Sequence, residues 1–278
     1  MDINKLAKVQ DMQLADKFAL SAQNLVKMLG NCELIPANPG ETLKQYKVTG
    51  TRSIVEYVEG KEVPVTTFEN KVVATHEAVL KPYRIQTTLQ EVQKRGYENA
   101  VTAKDNKLVA EMQGDIKAGL IAGLETGTGT ASGTDMIKAA LNAFAKLQNA
   151  MEDYGDFTPV FFCNPVDFAA AIGEKEVITA FGLQYVEGFA GLGNLIGTAK
   201  VTEGNLYCTA SENMKVYYIN ASNGAELGFG FTSDETGIVA IAHSAELKNL
   251  CYDTVAWTAI KVFPEYVDFV VKATIAQG

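Results

Sequence analysis

The sequence predicts an α+β fold, with helices and strands in separate stretches of the chain. Three observations predict it. Apolar residues recur at helical spacing over 11–29 and again over 99–124. Between these stretches, residues 46–85 alternate as a long, charged, extended hairpin. After a mixed block at 134–220, residues 226–276 are nearly all strand by composition. The chain has 278 residues, and its 24 Lys+Arg against 33 Asp+Glu give a net charge of −9. Its 47% hydrophobic content is that of a folded protein.

Residues 1–10 are short and polar and read as a flexible arm. Leu14, Phe18, Ala22, Leu25, Val26 and Leu29 form the stripe of the first helix, which Gly30 ends. Pro36 to Gly40 is a turn cluster. Tyr46 to Val58 and Val63 to Ala74 read as two strands, and Ala78 to Ile85 continues the second. A hairpin this long with so few apolar residues is marginal alone and needs a domain or a neighbouring subunit to lie against. Leu89, Val92 and Gly96 mark a short helical piece. Leu108, Met112, Ile116 and Leu120 then run along a spine helix from Asn99 to Leu124. Gly119 within it marks a close approach of another element. Gly127 to Gly133 reads as a flexible linker. Thr134 or Asp135 caps the next helix. Pro159 to Cys163 is a buried strand, and Asn164 with Pro165 starts a helix. Ala190 to Gly197 is a Gly-rich apolar loop. Val216 to Ile219 is another strand, and in the closing section Val239, Ile241 and His243 share one strand face.

Most function classes find no support. No stretch is long and apolar enough for a membrane helix, and Met1 to Lys5 does not begin a signal peptide. A charge of −9 disfavours a protein that works by neutralising phosphates. Cys32, Cys163, Cys208 and Cys251 have no metal-ligand spacing and read as reduced structural thiols. His76 and His243 stand in different segments without a second histidine at ligand spacing, so no metal and no cofactor is expected. Gly127 to Gly133 lacks the Lys-Ser or Lys-Thr of a phosphate loop, Gly188 to Gly197 opens no long helix, and there is no hydrolase elbow. Asp153 with Asp156, and Asp234, Glu235 and Asp253, read as solvated turns. What the chain does have is projecting surface without a private core. The charges on the hairpin, Glu56, Glu59, Lys61, Glu62, Glu69 and Lys71, suit register-setting contacts between subunits.

The order of these elements resembles the major capsid protein of tailed bacteriophages. Lys17-Phe18-Ala19 through Lys27-Met28-Leu29-Gly30, Lys81-Pro82-Tyr83-Arg84-Ile85-Gln86-Thr87-Thr88 and Gln93-Lys94-Arg95-Gly96-Tyr97 are similar to versions from phages of Gram-positive hosts. The resemblance implies an HK97-like fold with an N-terminal arm and helix (1–45) and an extended loop (46–85). It further implies a peripheral domain with the spine helix (86–126 and 226–278) and an axial domain with its linker (127–225). Subunits would assemble as hexamers and pentamers into an icosahedral virion head enclosing double-stranded DNA without sequence-specific binding. The protein would be made in the host cytoplasm. Gly191, Gly193, Asn194 and Gly197 would lie near the capsomer centre. Many family members carry a cleaved scaffolding segment. With its helix starting near residue 11 and Met at position 1, this chain is expected to lack one, and to use a separate scaffolding protein, a portal and, optionally, a decoration protein. Lys61 or Lys71 could donate to a Lys–Asn crosslink, but nothing selects a pair. Three other readings compete: an encapsulin-like nanocompartment shell binding cargo at the N-terminal helix, a cysteine-dependent enzyme using Cys163 or Cys208, and a tail-tube protein.

Overall fold

The computed structural model describes residues 3–30, 32–51, 59–62, 65, 67–173, 175–222 and 230–276. The chain begins with helix α1 (Ile3–Met28), so the segment expected as a flexible arm is helical from residue 3. Two long-range contacts hold this extension: the Tyr97 hydroxyl donates to Gln10 Oε1 at 3.1 Å, and buried Asp11 meets His243. Next come β1 (Glu33–Ala37), β2 (Thr42–Thr51), β3 (Thr67–Glu77) and β4 (Lys81–Thr88). β1 falls partly where a turn cluster was expected. Its Pro36 is tolerated because β1 is the edge of a three-stranded sheet.

β2 and β3 form the hairpin, antiparallel, with a register slip at Gln45/Tyr46. Residues 52–58, 63, 64 and 66 lie outside the described residues, and with them Glu56. β4 does not continue the hairpin but pairs with a C-terminal strand, β14 (Cys251–Thr258). It leads directly into α2 (Leu89–Arg95), whose first turn Thr88 caps by accepting from the Glu91 N–H. Gly96, with φ of 79°, breaks the path before the spine helix α3 (Tyr97–Glu125). Its 29 residues span about 44 Å. The close approach predicted at Gly119 occurs one turn later. A Cβ on Gly119 would meet nothing, whereas one on Gly123 would lie 3.0 Å from Phe263.

The expected linker is a strand, β5 (Gly129–Gly133). It is followed by α4 (Met136–Met151), β6 (Pro159–Cys163), α5 (Pro165–Ile172), β7 (Ile178–Ala180), β8 (Leu183–Phe189), β9 (Gly193–Gly197) and β10 (Asn205–Ala210). The remaining strands are β11 (Met214–Ile219), β12 (Thr232–Ser233), β13 (Val239–Glu246), β14, β15 (Ile260–Pro264) and β16 (Val270–Ile275). A seven-stranded sheet runs β5-β16-β10-β6-β9-β8-β7. The glycines of β5 serve packing: a Cβ on Gly129 would lie 2.8 Å from Val271, and one on Gly133 would lie 2.2 Å from the backbone of α4. β1-β11-β15 and β12-β13-β14-β4 form two smaller sheets. The described strands of the C-terminal section are thus shared among three of the four sheets.

The large sheet is covered on both faces, which explains the continuous apolar run of β6. Val160 and Phe162 join a core with Phe18 and Leu25 of α1 and Leu108 and Met112 of α3. Phe161 and Cys163 face the other way, toward Ala139, Ala143 and Leu147 of α4. Asp135 and Asn164 cap α4 and α5 as predicted.

Candidate assembly surface

The hairpin is fixed at its root and bare along its length. At the root, fully buried Gln45 donates through Nε2 to the Thr126 hydroxyl at 2.9 Å and to the Pro264 carbonyl at 3.0 Å. The Tyr46 N–H donates to the Glu265 carbonyl at 2.7 Å. The Val48 N–H donates to Asp268 Oδ2 at 3.2 Å, and the other oxygen of that carboxylate accepts from the Thr128 hydroxyl at 2.8 Å. These contacts tie β2 to the end of the spine helix and to the segment before β16. Beyond them, β3 is exposed over Thr67–Val73. Phe68 is 58% exposed and Val73 51%. Glu59, Lys61, Glu62, Glu69 and Lys71 are also exposed, and none forms an ion pair with another described residue. Lys71 even sits opposite Lys47, a like-charge pairing that does nothing for the isolated hairpin.

Helix α1 is clamped at both ends. At its C-terminus the Ser211 hydroxyl lies 2.7 Å from the Leu29 carbonyl and 2.8 Å from that of Gly30, and Asn194 Nδ2 donates to the Met28 carbonyl at 3.0 Å. These contacts satisfy carbonyls that a helix end leaves free. Near the other end, His243 of β13 has a fully buried side chain between two carboxylates. Nδ1 meets Asp11 of α1, and Nε2 meets Asp105 of α3 at 3.2 Å. The Thr254 hydroxyl also donates to Asp105, at 2.9 Å, and the Tyr252 ring stacks on the imidazole. Burial alone would lower the His243 pKa. The hydrogen bonds and charges of Asp105 and Asp11 outweigh it and push the pKa up to about 9. His243 is therefore a buried cation joining α1, α3 and β13.

No family model and no curated protein matches the chain. Solved structures do. A virus-like particle from Pyrococcus furiosus is 13% identical over 94% of this chain and 97% of that one, with a TM-score of 0.52. The holo encapsulin complex from Synechococcus elongatus is 9% identical over 89% and 86%, with a TM-score of 0.55. The capsid of cyanophage A-1(L) is 9% identical over 93% and 94%, also with a TM-score of 0.55. The chain has the HK97-like fold. At these identities the likeness is one of fold, shared equally by viral capsid and encapsulin shells. The three structures named are a virus-like particle, an encapsulin complex and a capsid.

Within the HK97-like fold, the sequence-predicted glycine site divides. Residues 193–197 are not a surface loop but β9, paired with β6 and β8 inside the large sheet. A Cβ on Gly193 would lie 1.8 Å from the Pro159 carbonyl oxygen, and one on Gly197 would lie 3.0 Å from the Phe168 ring. Asn194 is turned to α1. Gly191 alone of the four stands at the exposed β8–β9 turn, with φ of 74°.

The thiol reading fails on its own terms. Cys163 and Cys208 are fully buried on the α4 side of the sheet, and burial pushes both thiols well above the usual range. Cys32 is raised to about 12 for the same reason. A nucleophilic thiol needs the opposite shift. Among the described residues, no group of three or more His, Cys, Asp and Glu is placed to hold a metal, and no helix is long and apolar enough to cross a membrane. Asp234 shapes a turn, accepting from the N–H groups of Thr236 and Ile238, but it is buried rather than solvated. Asp253 is instead buried and paired with Arg84.

The residues that sequence reasoning missed are Gln45, Ser211 and the pair of carboxylates around His243. For the carboxylates a signal existed. Asp11 precedes Leu14 and Phe18, and Asp105 precedes Leu108 and Met112, so each acid sits in register with its helix's apolar stripe. A charge in that register is buried, and a buried charge requires a partner.

Proposed function

We propose that this chain is the major capsid protein of a tailed virus, assembling as hexamers and pentamers into an icosahedral head around double-stranded DNA. The observation that carries this reading is the hairpin. It is anchored at its root by buried hydrogen bonds, while its length exposes Phe68, Val73 and charges that form no ion pair among the described residues. A strand pair with no core of its own becomes stable surface only when a neighbouring copy covers it. In this reading Glu56, Glu59, Lys61, Glu62, Glu69 and Lys71 set the register between subunits, and Gly191 lies at the capsomer centre. The α3 spine with the small sheets forms the peripheral part, and α4, α5 and most of the large sheet form the axial part. A separate scaffolding protein, a portal and, optionally, a decoration protein complete the head. The likeness of the quoted segments to phages of Gram-positive hosts belongs to this proposal.

An encapsulin-like shell is the second reading, supported by the match to the Synechococcus elongatus encapsulin at the same TM-score as the cyanophage capsid. The contents of particles produced in cells separate the two. Nuclease-protected double-stranded DNA in particles made with portal and scaffold supports the capsid reading. Particles that exclude DNA and co-purify with one host enzyme overturn it in favour of a nanocompartment.

A further inference from the structure

The acidic balance of the chain conceals a cationic cleft. It has a volume of about 400 Å³ and lies between the spine helix and the outer end of the large sheet, lined by Lys117, Thr179, Gln184, Thr198 and Lys200 among others. No described Asp or Glu lines it, although acids outnumber bases 33 to 24 in the whole chain. Neither lysine has an ion pair among the described residues. Lys117 Nζ donates to the Gly182 carbonyl at 3.5 Å. Lys117 is half-buried, and burial together with the Lys200 charge lowers its pKa. Lys200 is exposed at the cleft, and its charge acts on Lys117 in the same direction as burial.

The cleft is braced rather than incidental. Phe181 and Gly182 make the two-residue turn between β7 and β8, and both have positive φ, 52° and 65°. Phe181 holds this unusual conformation while its ring is buried in the core shared by α1 and α3, which docks the turn beside Lys117. On the opposite wall, Asn164 Nδ2 donates to the Val201 carbonyl at 2.8 Å, and the Lys200 N–H donates to the Thr198 hydroxyl oxygen at 3.3 Å. Thr198 is buried, and its own hydroxyl proton has no acceptor among the described residues.

We propose that this cleft is an anion site that takes a phosphate group, with Lys117 and Lys200 as the paired cations and the Thr198 hydroxyl as a further donor. Lysine binds phosphate as a point charge, and two cations balance the charge of one phosphate near neutral pH. The phosphate has two sources, a free phosphate or nucleotide and the backbone of a nucleic acid. The site stands on the cleft alone and does not depend on the shell reading.

The test is isothermal titration calorimetry of the full-length chain with inorganic phosphate and with a short DNA duplex, using acetate as the control anion. Phosphate is expected to bind saturably and to lose roughly tenfold in affinity in K117Q or K200Q. Because the anion restores the Lys117 proton affinity, binding at alkaline pH is expected to take up protons. Buffers of different ionisation enthalpy read this directly in the unmodified chain. Tighter binding of the duplex than of phosphate, lost in K117Q, assigns the nucleic-acid source. Equal or weaker duplex binding assigns the free anion. Absence of saturable phosphate binding, binding unchanged in both variants, or binding without proton uptake overturns the proposal.

Discussion

The buried Gln45 side chain donates to the Thr126 hydroxyl at 2.9 Å, joining the root of the hairpin to the last turn of the spine helix. Thr126 in turn donates to the Gly123 carbonyl at 2.7 Å. Gly123 is where β15 presses against that helix. One chain of contacts therefore relates the aim of the hairpin to the axis of the spine. Replacing Gln45 by Ala leaves the Pro264 carbonyl without its donor in a buried setting, at a cost of about 1–3 kcal/mol. We expect Q45A to lower the denaturation midpoint of the free subunit and to reduce particle yield further than that loss of stability alone accounts for.

Much of this fold was legible because its signals are local. Asn164 with Pro165 announces a helix start within two residues, and β6 announces itself by five consecutive buried positions. The segment 127–133 was illegible as a strand because Gly-Thr-Ala-Ser-Gly has no apolar alternation. Gly127 and Gly129 answer to Val270 and Val271, well over a hundred residues away, and Gly133 to the backbone of α4. Gln45 and His243 were illegible for the same reason: each acquires its meaning from partners on distant elements. The hairpin charges were readable as exposed, but no single-chain signal says what they meet.

His243 makes stability depend on pH. Its folded pKa of about 9 lies above the 6.5 of an unperturbed histidine. The stabilisation from its charge is therefore complete below the unfolded value and is lost as pH rises through the folded one. Chemical denaturation from pH 6 to 10 is expected to show falling stability on the alkaline side. H243F, which leaves Asp11 and Asp105 facing an apolar ring, should lose about 3–5 kcal/mol and flatten that alkaline fall. Hydrogen exchange should show α1 as the first long helix to open.

Two glycines predict opposite outcomes for the same substitution. Gly114 lies inside α3, and a Cβ there would meet nothing within 4 Å, so G114A should stabilise the chain by about 0.5–1 kcal/mol. Gly193 faces the Pro159 carbonyl, and G193A should cost about 3 kcal/mol or drive the protein into the insoluble fraction. Thermal melts of the two variants beside the parent check both.

The outer hairpin should matter only in the assembly. Phe68 is exposed in the single subunit, so F68S should change subunit stability by less than about 0.5 kcal/mol while lowering the yield of assembled particles. The double reversal E59K/E62K should lower yield as well, and added salt should blunt that effect. Unchanged yields in both variants, measured by sedimentation, remove the hairpin from the interface.

The most direct measurement is electron microscopy of the purified full-length chain, with and without its scaffolding protein, across a range of concentrations. Closed polyhedral shells, or discrete rings of five and six subunits, are the predicted result. A 30.0 kDa monomer that never associates, even with scaffold present, would contradict the account, because the hairpin would then have no surface to cover it.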